Sequence, residues 1–151
     1  MKTQNTQPFI ATARLLLDAF RAFENELAQI LAAKGFTDVT MGNFNVLRHL
    51  NPEGMHLSEL AKDAQISKQA IGKMISELEH KGYVELTPDE TDARAKYVRF
   101  TVKGQKFIDQ AISIVSEMED KYQSLLGKKD YNTLRQSVSQ IYQWHLNREE
   151  K

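Results

Sequence analysis

The chain has 151 residues, 41% hydrophobic and 26% charged, the proportions of an ordinary globular protein with room for one proper core. Lys+Arg and Asp+Glu total 20 each, and residues 1–54, 55–104 and 105–151 carry five, eight and seven charges of each sign, so a nucleic-acid reading must rest on where charges sit rather than on their sum. The absence of cysteine excludes disulfides, thiolate nucleophiles, thiol-based redox sensing and zinc sites of the Cys type.

Within the first 30 residues, Arg14, Asp18, Arg21 and Glu24 interrupt every apolar stretch, so neither a signal peptide nor a membrane span is expected. A reduced, cytoplasmic setting is the natural reading. The spacing of Phe9, Leu16, Phe20, Phe23, Leu27 and Ile30 predicts a first helix that stops at Lys34-Gly35. A second helix begins after Thr40 as N-cap, carries Phe44, Leu47 and Leu50, and ends at the turn signal Asn51-Pro52-Glu53-Gly54.

Two short helices follow. Leu57, Leu60, Ala61 and Ala64 form one stripe, and Ser67 reads as the N-cap of a helix running to His80 with Gly82 as its stop. Only Gln65 and Ile66 separate the two helices, a connection short enough to force a sharp angle: the helix-turn-helix spacing. The period then changes to two. Residues 83–87 and 96–100 alternate, with Val84, Leu86, Val98 and Phe100 facing inward, and they flank a polar stretch from Pro88 to Ala95. This is a hairpin wing. Thr101 caps a long fifth helix that ends at Gly127, and a sixth carries Tyr131, Leu134, Val138, Ile141 and His145.

The expected fold is mainly α with a small β-hairpin wing: a winged helix-turn-helix flanked by long N- and C-terminal helices. A DNA-binding lobe over 40–104 and a helical dimerisation lobe over 1–35 and 105–151 make up a single domain.

On the helix from Ser67 to His80, Ile71, Met74, Ile75 and Leu78 share one face, and Gln69, Gly72, Lys73, Ser76 and His80 share the other. The first set has to pack; the second is free to enter a major groove. Ser67 and the neighbouring N–H groups suit a phosphate at the helix N-terminus, and Lys68 adds a second phosphate contact. Gln69 is competent to read adenine and Lys73 guanine. Gly72 mid-helix costs about 1 kcal/mol relative to alanine. It either leaves space for DNA, packs closely on another helix, or is merely tolerated. Glu77 and Glu79 would repel phosphates if they faced the groove; their spacing puts them on the flank.

The segments Leu57-Ser58-Glu59-Leu60-Ala61, Ile66-Ser67-Lys68-Gln69-Ala70 and Leu78-Glu79-His80-Lys81-Gly82-Tyr83-Val84 resemble the MarR family of transcriptional regulators. Asp92-Ala93-Arg94 fits that family's Asp-x-Arg wing pattern, and Phe100-Thr101-Val102-Lys103-Gly104 fits its Leu-Thr-x-x-Gly entry to the fifth helix, with Phe in place of Leu. The resemblance is dense over about 50 residues; outside them only helix order and length agree. It implies that Arg94 enters a narrow minor groove, oriented by Asp92 through a paired hydrogen bond. Lys96, with Arg99 and Lys103, would border the phosphates.

The partners expected are double-stranded DNA and a second copy of the chain, because the first and last helices carry more large apolar residues than a small monomer covers. The resemblance also implies a small aromatic or phenolic effector, for which Phe44, Arg48 and His49 lie in the right region; their plainer role is core packing with a polar edge. The four histidines show no metal-ligand spacing, and no cofactor or membrane partner is expected. No triad order, Gly-rich phosphate loop or paired carboxylates point to an enzyme. The alternative function is a winged helix used as a protein-interaction module, for which zero net charge speaks.

Overall fold

Backbone punctuation sets the element boundaries. A computed structural model describes residues 10–88 and 96–149 as α1 (Thr12–Ala33), α2 (Met41–Leu47), β1 (Met55–His56), α3 (Leu57–Asp63), α4 (Lys68–His80), β2 (Val84–Pro88), β3 (Lys96–Phe100), α5 (Val102–Leu126) and α6 (Lys128–Glu149). Phe9, expected in the first helix, lies outside the described residues. Gly35, Gly82 and Gly127 follow three of the helices with φ of +96°, +77° and +78°. The ends of α1 and α4 are closed by paired backbone bonds: Phe36 N–H to Leu31 O with Gly35 N–H to Ala32 O, and Tyr83 N–H to Leu78 O with Gly82 N–H to Glu79 O. Thr40 caps α2 reciprocally with Asn43, which satisfies the buried amide of that residue.

The sheet is larger than the expected hairpin. Met55–His56 pairs antiparallel with Val98 and Tyr97, giving the order β1-β3-β2. Two residues are too few to show a period, so the sequence carries no strand signal there. Gly54 enters this strand at φ +89°, and a Cβ on it would lie 2.7 Å from the Val98 carbonyl oxygen. The Tyr97 hydroxyl donates to the Gly54 carbonyl at 2.9 Å, closing the turn. Of the four inward residues expected, Val84 and Val98 are buried, while Leu86 and Phe100 are half-buried.

Contacts cluster into two compact units, divided between Ala111 and Ile112 within α5. In the first, Leu27, Leu47, Leu60, Ile71, Ile75, Leu78 and Val98 are fully buried. Phe107 joins them, with edge-on contacts to Phe36 (5.3 Å between ring centroids), Tyr83 (5.5 Å) and Phe44 (6.4 Å). In the second unit the Tyr131 hydroxyl donates to Glu119, and Leu134, Val138 and Ile141 form an exposed stripe on α6.

The wing and α5 meet at one crowded point. The Thr101 hydroxyl accepts from Gly104 N–H at 3.0 Å, capping α5, and donates to the Gly82 carbonyl at 2.6 Å. Thr101 N–H donates to Tyr83 O at 3.1 Å. A Cβ on Gly104 would sit 1.8 Å from that same oxygen, so only glycine lets the first turn of α5 approach the strand. Tyr83 itself is fully buried; burial, then its hydrogen bond to Asp38 (2.5 Å), push its hydroxyl pKa well above the usual value. The Tyr83 hydroxyl, and after it Lys103, hold the Asp38 carboxyl below the ordinary aspartate range, against an opposing desolvation.

Two outcomes follow from this junction. Gly104→Ala must displace α5 or the strand and is expected to cost at least the ~1–3 kcal/mol of overpacking, lowering Tm by several degrees in a thermal melt. Asp38 has a depressed folded pKa, so its contribution is present above the unfolded value of about 3.9 and lost as pH falls through the folded one. The stability gap between the wild type and Asp38→Asn should therefore be full above pH ~5 and shrink toward pH ~3 in denaturant titrations.

Candidate nucleic-acid interface

The turn between α3 and α4 is closed without glycine. Ile66 N–H bonds to Ala61 O at 2.9 Å and Gln65 N–H to Lys62 O at 3.1 Å, which drives Gln65 to φ +54°. Ser67 then starts α4 as the sequence indicates, its Oγ accepting from Ala70 N–H at 3.2 Å. An accepting hydroxyl still has its hydrogen to donate, so the cap does not remove Ser67 from a phosphate site.

The two faces of α4 separate cleanly. Ile71, Ile75 and Leu78 are fully buried, and Met74 is half-buried. Gln69, Lys73, Ser76 and His80 are exposed on the opposite face, and Lys68 is exposed near the N-terminus. Ala70 is exposed beside them; a small apolar residue gives no signal of its face in the sequence, and its methyl matches the kind of contact that reads thymine. Gly72 does not pack against another helix: a Cβ there would meet nothing within 4 Å. Its position is open toward whatever approaches from outside.

The acidic residues are occupied. Glu77 pairs with Lys81 at 2.5 Å, which lowers its carboxyl pKa. Glu79 accepts from the Leu86 N–H of β2 at 3.1 Å, a tie from α4 to the wing that spacing alone did not reveal. Lys103, expected at the phosphate border, is instead held by the fold: its Nζ donates to Asp38 Oδ2 (3.2 Å) and Lys81 O (2.9 Å) and lies 4.1 Å from the Tyr83 ring centroid. Arg99 rests over the Tyr97 ring at 5.0 Å. Lys96 is exposed at the start of β3, while Asp92 and Arg94 lie outside the described residues.

The three residues named for an effector do not share one environment. Phe44 belongs to the core beside Phe107, Arg48 is exposed, and His49 is half-buried. Among the described residues no helix is long and apolar enough to cross a membrane.

Comparison with known proteins agrees with this geometry. Residues 37–95 match the model of the MarR family. The transcriptional regulator HosA of Escherichia coli O127:H6 (strain E2348/69 / EPEC) is 24% identical over 105 residues, 69% of this chain and 78% of that protein. The HTH-type transcriptional regulator TcaR of Staphylococcus aureus (strain Newman) is 24% identical over 106 residues, 69% of this chain and 70% of that one. Among solved structures, the Staphylococcus aureus MepR–DNA complex superposes with a TM-score of 0.75 at 18% identity, covering 89% of this chain and 98% of MepR. The transcriptional repressor CouR bound to a 23-mer DNA duplex gives 0.73 at 24% identity, covering 87% and 92% of the two chains. With the wing hairpin, the capped α4 and the Thr101–Gly104 junction in place, the chain has the winged-helix fold of these proteins, and its similarity to the MarR family of transcriptional regulators is centred on residues 37–95.

Proposed function

We propose that the protein is a repressor that binds a palindromic operator sequence-specifically as a homodimer and is released by a small aromatic or phenolic ligand. The observation that carries the DNA reading is the outward face of α4, where Gln69, Lys73 and Ser76 stand exposed beside the unobstructed Gly72. Ser67 and Lys68 hold phosphates at the helix N-terminus, Gln69 and Lys73 read base edges, and Lys96 contacts the backbone from the wing. Asp92 and Arg94 take the minor-groove role that the family pattern assigns them.

Dimer formation is supported by apolar side chains left open within each unit: Leu15 (54% exposed), Leu17 (42%) and Phe20 (49%) on α1, and Leu134 (47%), Ile141 (42%) and Trp144 (55%) on α6. One recognition helix reads only a few base pairs, and a two-fold partner supplies the second half-site. Ligand release rests on the family resemblance alone.

The test is selection of bound sequences from a random duplex pool, followed by a salt titration on the selected duplex. A palindromic consensus is expected, with affinity falling by a log–log slope of about −0.9 for each phosphate neutralised. A flat salt response, or no enrichment, would favour the protein-interaction module instead. The free protein should run at about twice the protomer's 17.3 kDa, and the complex at that mass plus one duplex.

Gly72 gives a sharper check because its two effects have opposite signs. Gly72→Ala should stabilise the fold by up to about 1 kcal/mol, since its Cβ meets nothing and alanine favours helix. The same change should weaken operator binding if DNA fills that space. A rise in Tm together with a larger Kd is the expected pair; a rise in Tm with unchanged Kd removes Gly72 from the interface.

A further inference from the structure

We propose that Glu79 is a positioning residue for DNA recognition: it fixes the wing against the recognition helix by accepting the outward N–H of β2. The inference rests on the DNA-binding reading and deepens it. β2 is an outer strand of the sheet, and the Leu86 N–H donates to Glu79 Oε1 at 3.1 Å rather than into the ladder with β3.

The location of this carboxylate is costly in two ways. Glu79 stands in the last turn of α4, at the negative pole of the helix dipole, and it is exposed on the helix that meets phosphates. Glu77 has Lys81 to neutralise it. The carboxylate of Glu79 instead reaches across to a backbone N–H, a charge-assisted bond to a group that would otherwise face water.

The bond also has leverage. Where the chain leaves α4, Tyr83 N–H is tied to Leu78 O at 2.9 Å, and Gly82 supplies the turn at φ +77°. The strand is also paired on its inner edge with β3, which leaves its outer edge beyond Val84 without a hydrogen-bonded tie to α4 other than the Glu79 bond among the described residues. Leu86 lies three residues beyond Tyr83, roughly 10 Å along the strand. The Glu79 bond therefore ties the outer edge of the wing directly to the recognition helix, in addition to the base at Tyr83. Because β2 and β3 are paired through Pro88↔Lys96, holding Leu86 also sets where Lys96 stands relative to α4. Glu79 shares its helix flank with Lys68 and the open Gly72, so the wing is anchored at one end of the flank that is clear at the other.

The experiment compares the wild type, Glu79→Ala and Glu79→Gln on a duplex that the wild type selects from a random pool, with Leu86 amide hydrogen exchange measured on the DNA-free proteins. If Glu79 were only an exposed acid near phosphates, both substitutions would tighten binding. Positioning predicts a split. Glu79→Gln keeps an acceptor without the charge, so it should bind at least as tightly as the wild type and keep Leu86 protected. Glu79→Ala should expose the Leu86 amide to faster exchange and bind roughly tenfold more weakly. Its salt slope should also be shallower by about 0.9, the loss of one phosphate contact from Lys96. Binding by Glu79→Ala equal to or tighter than wild type, equal losses in both variants, or unchanged Leu86 exchange each overturns the proposal. Wild-type protein that selects no duplex overturns the DNA reading itself and the positioning role with it, an outcome visible before any variant is measured.

Discussion

The close approach of α5 to the Tyr83 carbonyl is the constraint on which the first compact unit is built. Four residues make it possible: Gly82 turns the chain out of α4, Tyr83 offers its oxygen, Thr101 caps α5 and bonds back to Gly82, and Gly104 has no Cβ to obstruct the contact. Recognition helix, wing and α5 thus converge within a few residues of one another. Around this point Tyr83 is buried, its ring set on Phe107 and its hydroxyl on Asp38, while Lys103 spans Asp38, the Lys81 carbonyl and the face of the ring. The family-like Thr-x-x-Gly spacing is therefore a packing requirement, separate from any contact with DNA.

This arrangement also explains how an electrically neutral segment can present a polar helix face with no unpaired carboxylate on it. Its cations and anions are sorted by position rather than by number. Lys103 and Lys81 are spent on the fold, Glu77 and Glu79 are spent on a helix pair and a strand, and what remains outward on α4 is Lys68, Gln69, Ala70, Lys73, Ser76 and His80.

Much of this was legible in the sequence because its signals are local. Caps at Thr40, Ser67 and Thr101, stops at Gly35, Gly82 and Gly127, and the change of period at Tyr83 each depend on a few neighbouring residues, and each reappears in the backbone. The missing pieces depend on pairs distant in sequence. β1 exists because residues 97 and 98 pair with it; two residues carry no period of their own. Lys103 looks like a free cation until Asp38, sixty-five residues away, is brought beside it. Glu79 looks like an obstacle to DNA until β2 folds back to present an N–H. Ala70 carries no pattern signal, because a small side chain fits a buried or an exposed position equally well.

The φ of +54° at Gln65 has a consequence for motion. The other left-handed helix ends are made by glycines, whose broad conformational range leaves the following segment free to change direction at little cost. At the turn into the recognition helix a residue with a side chain occupies that conformation, at a cost of roughly 1–2 kcal/mol that the two closing backbone bonds offset. Such a residue has few neighbouring backbone states to visit. The angle between α3 and α4 is accordingly held more tightly than a glycine at the same position would hold it. A force that turns α4 is thereby passed to α3 through the Gln65 and Ile66 backbone bonds.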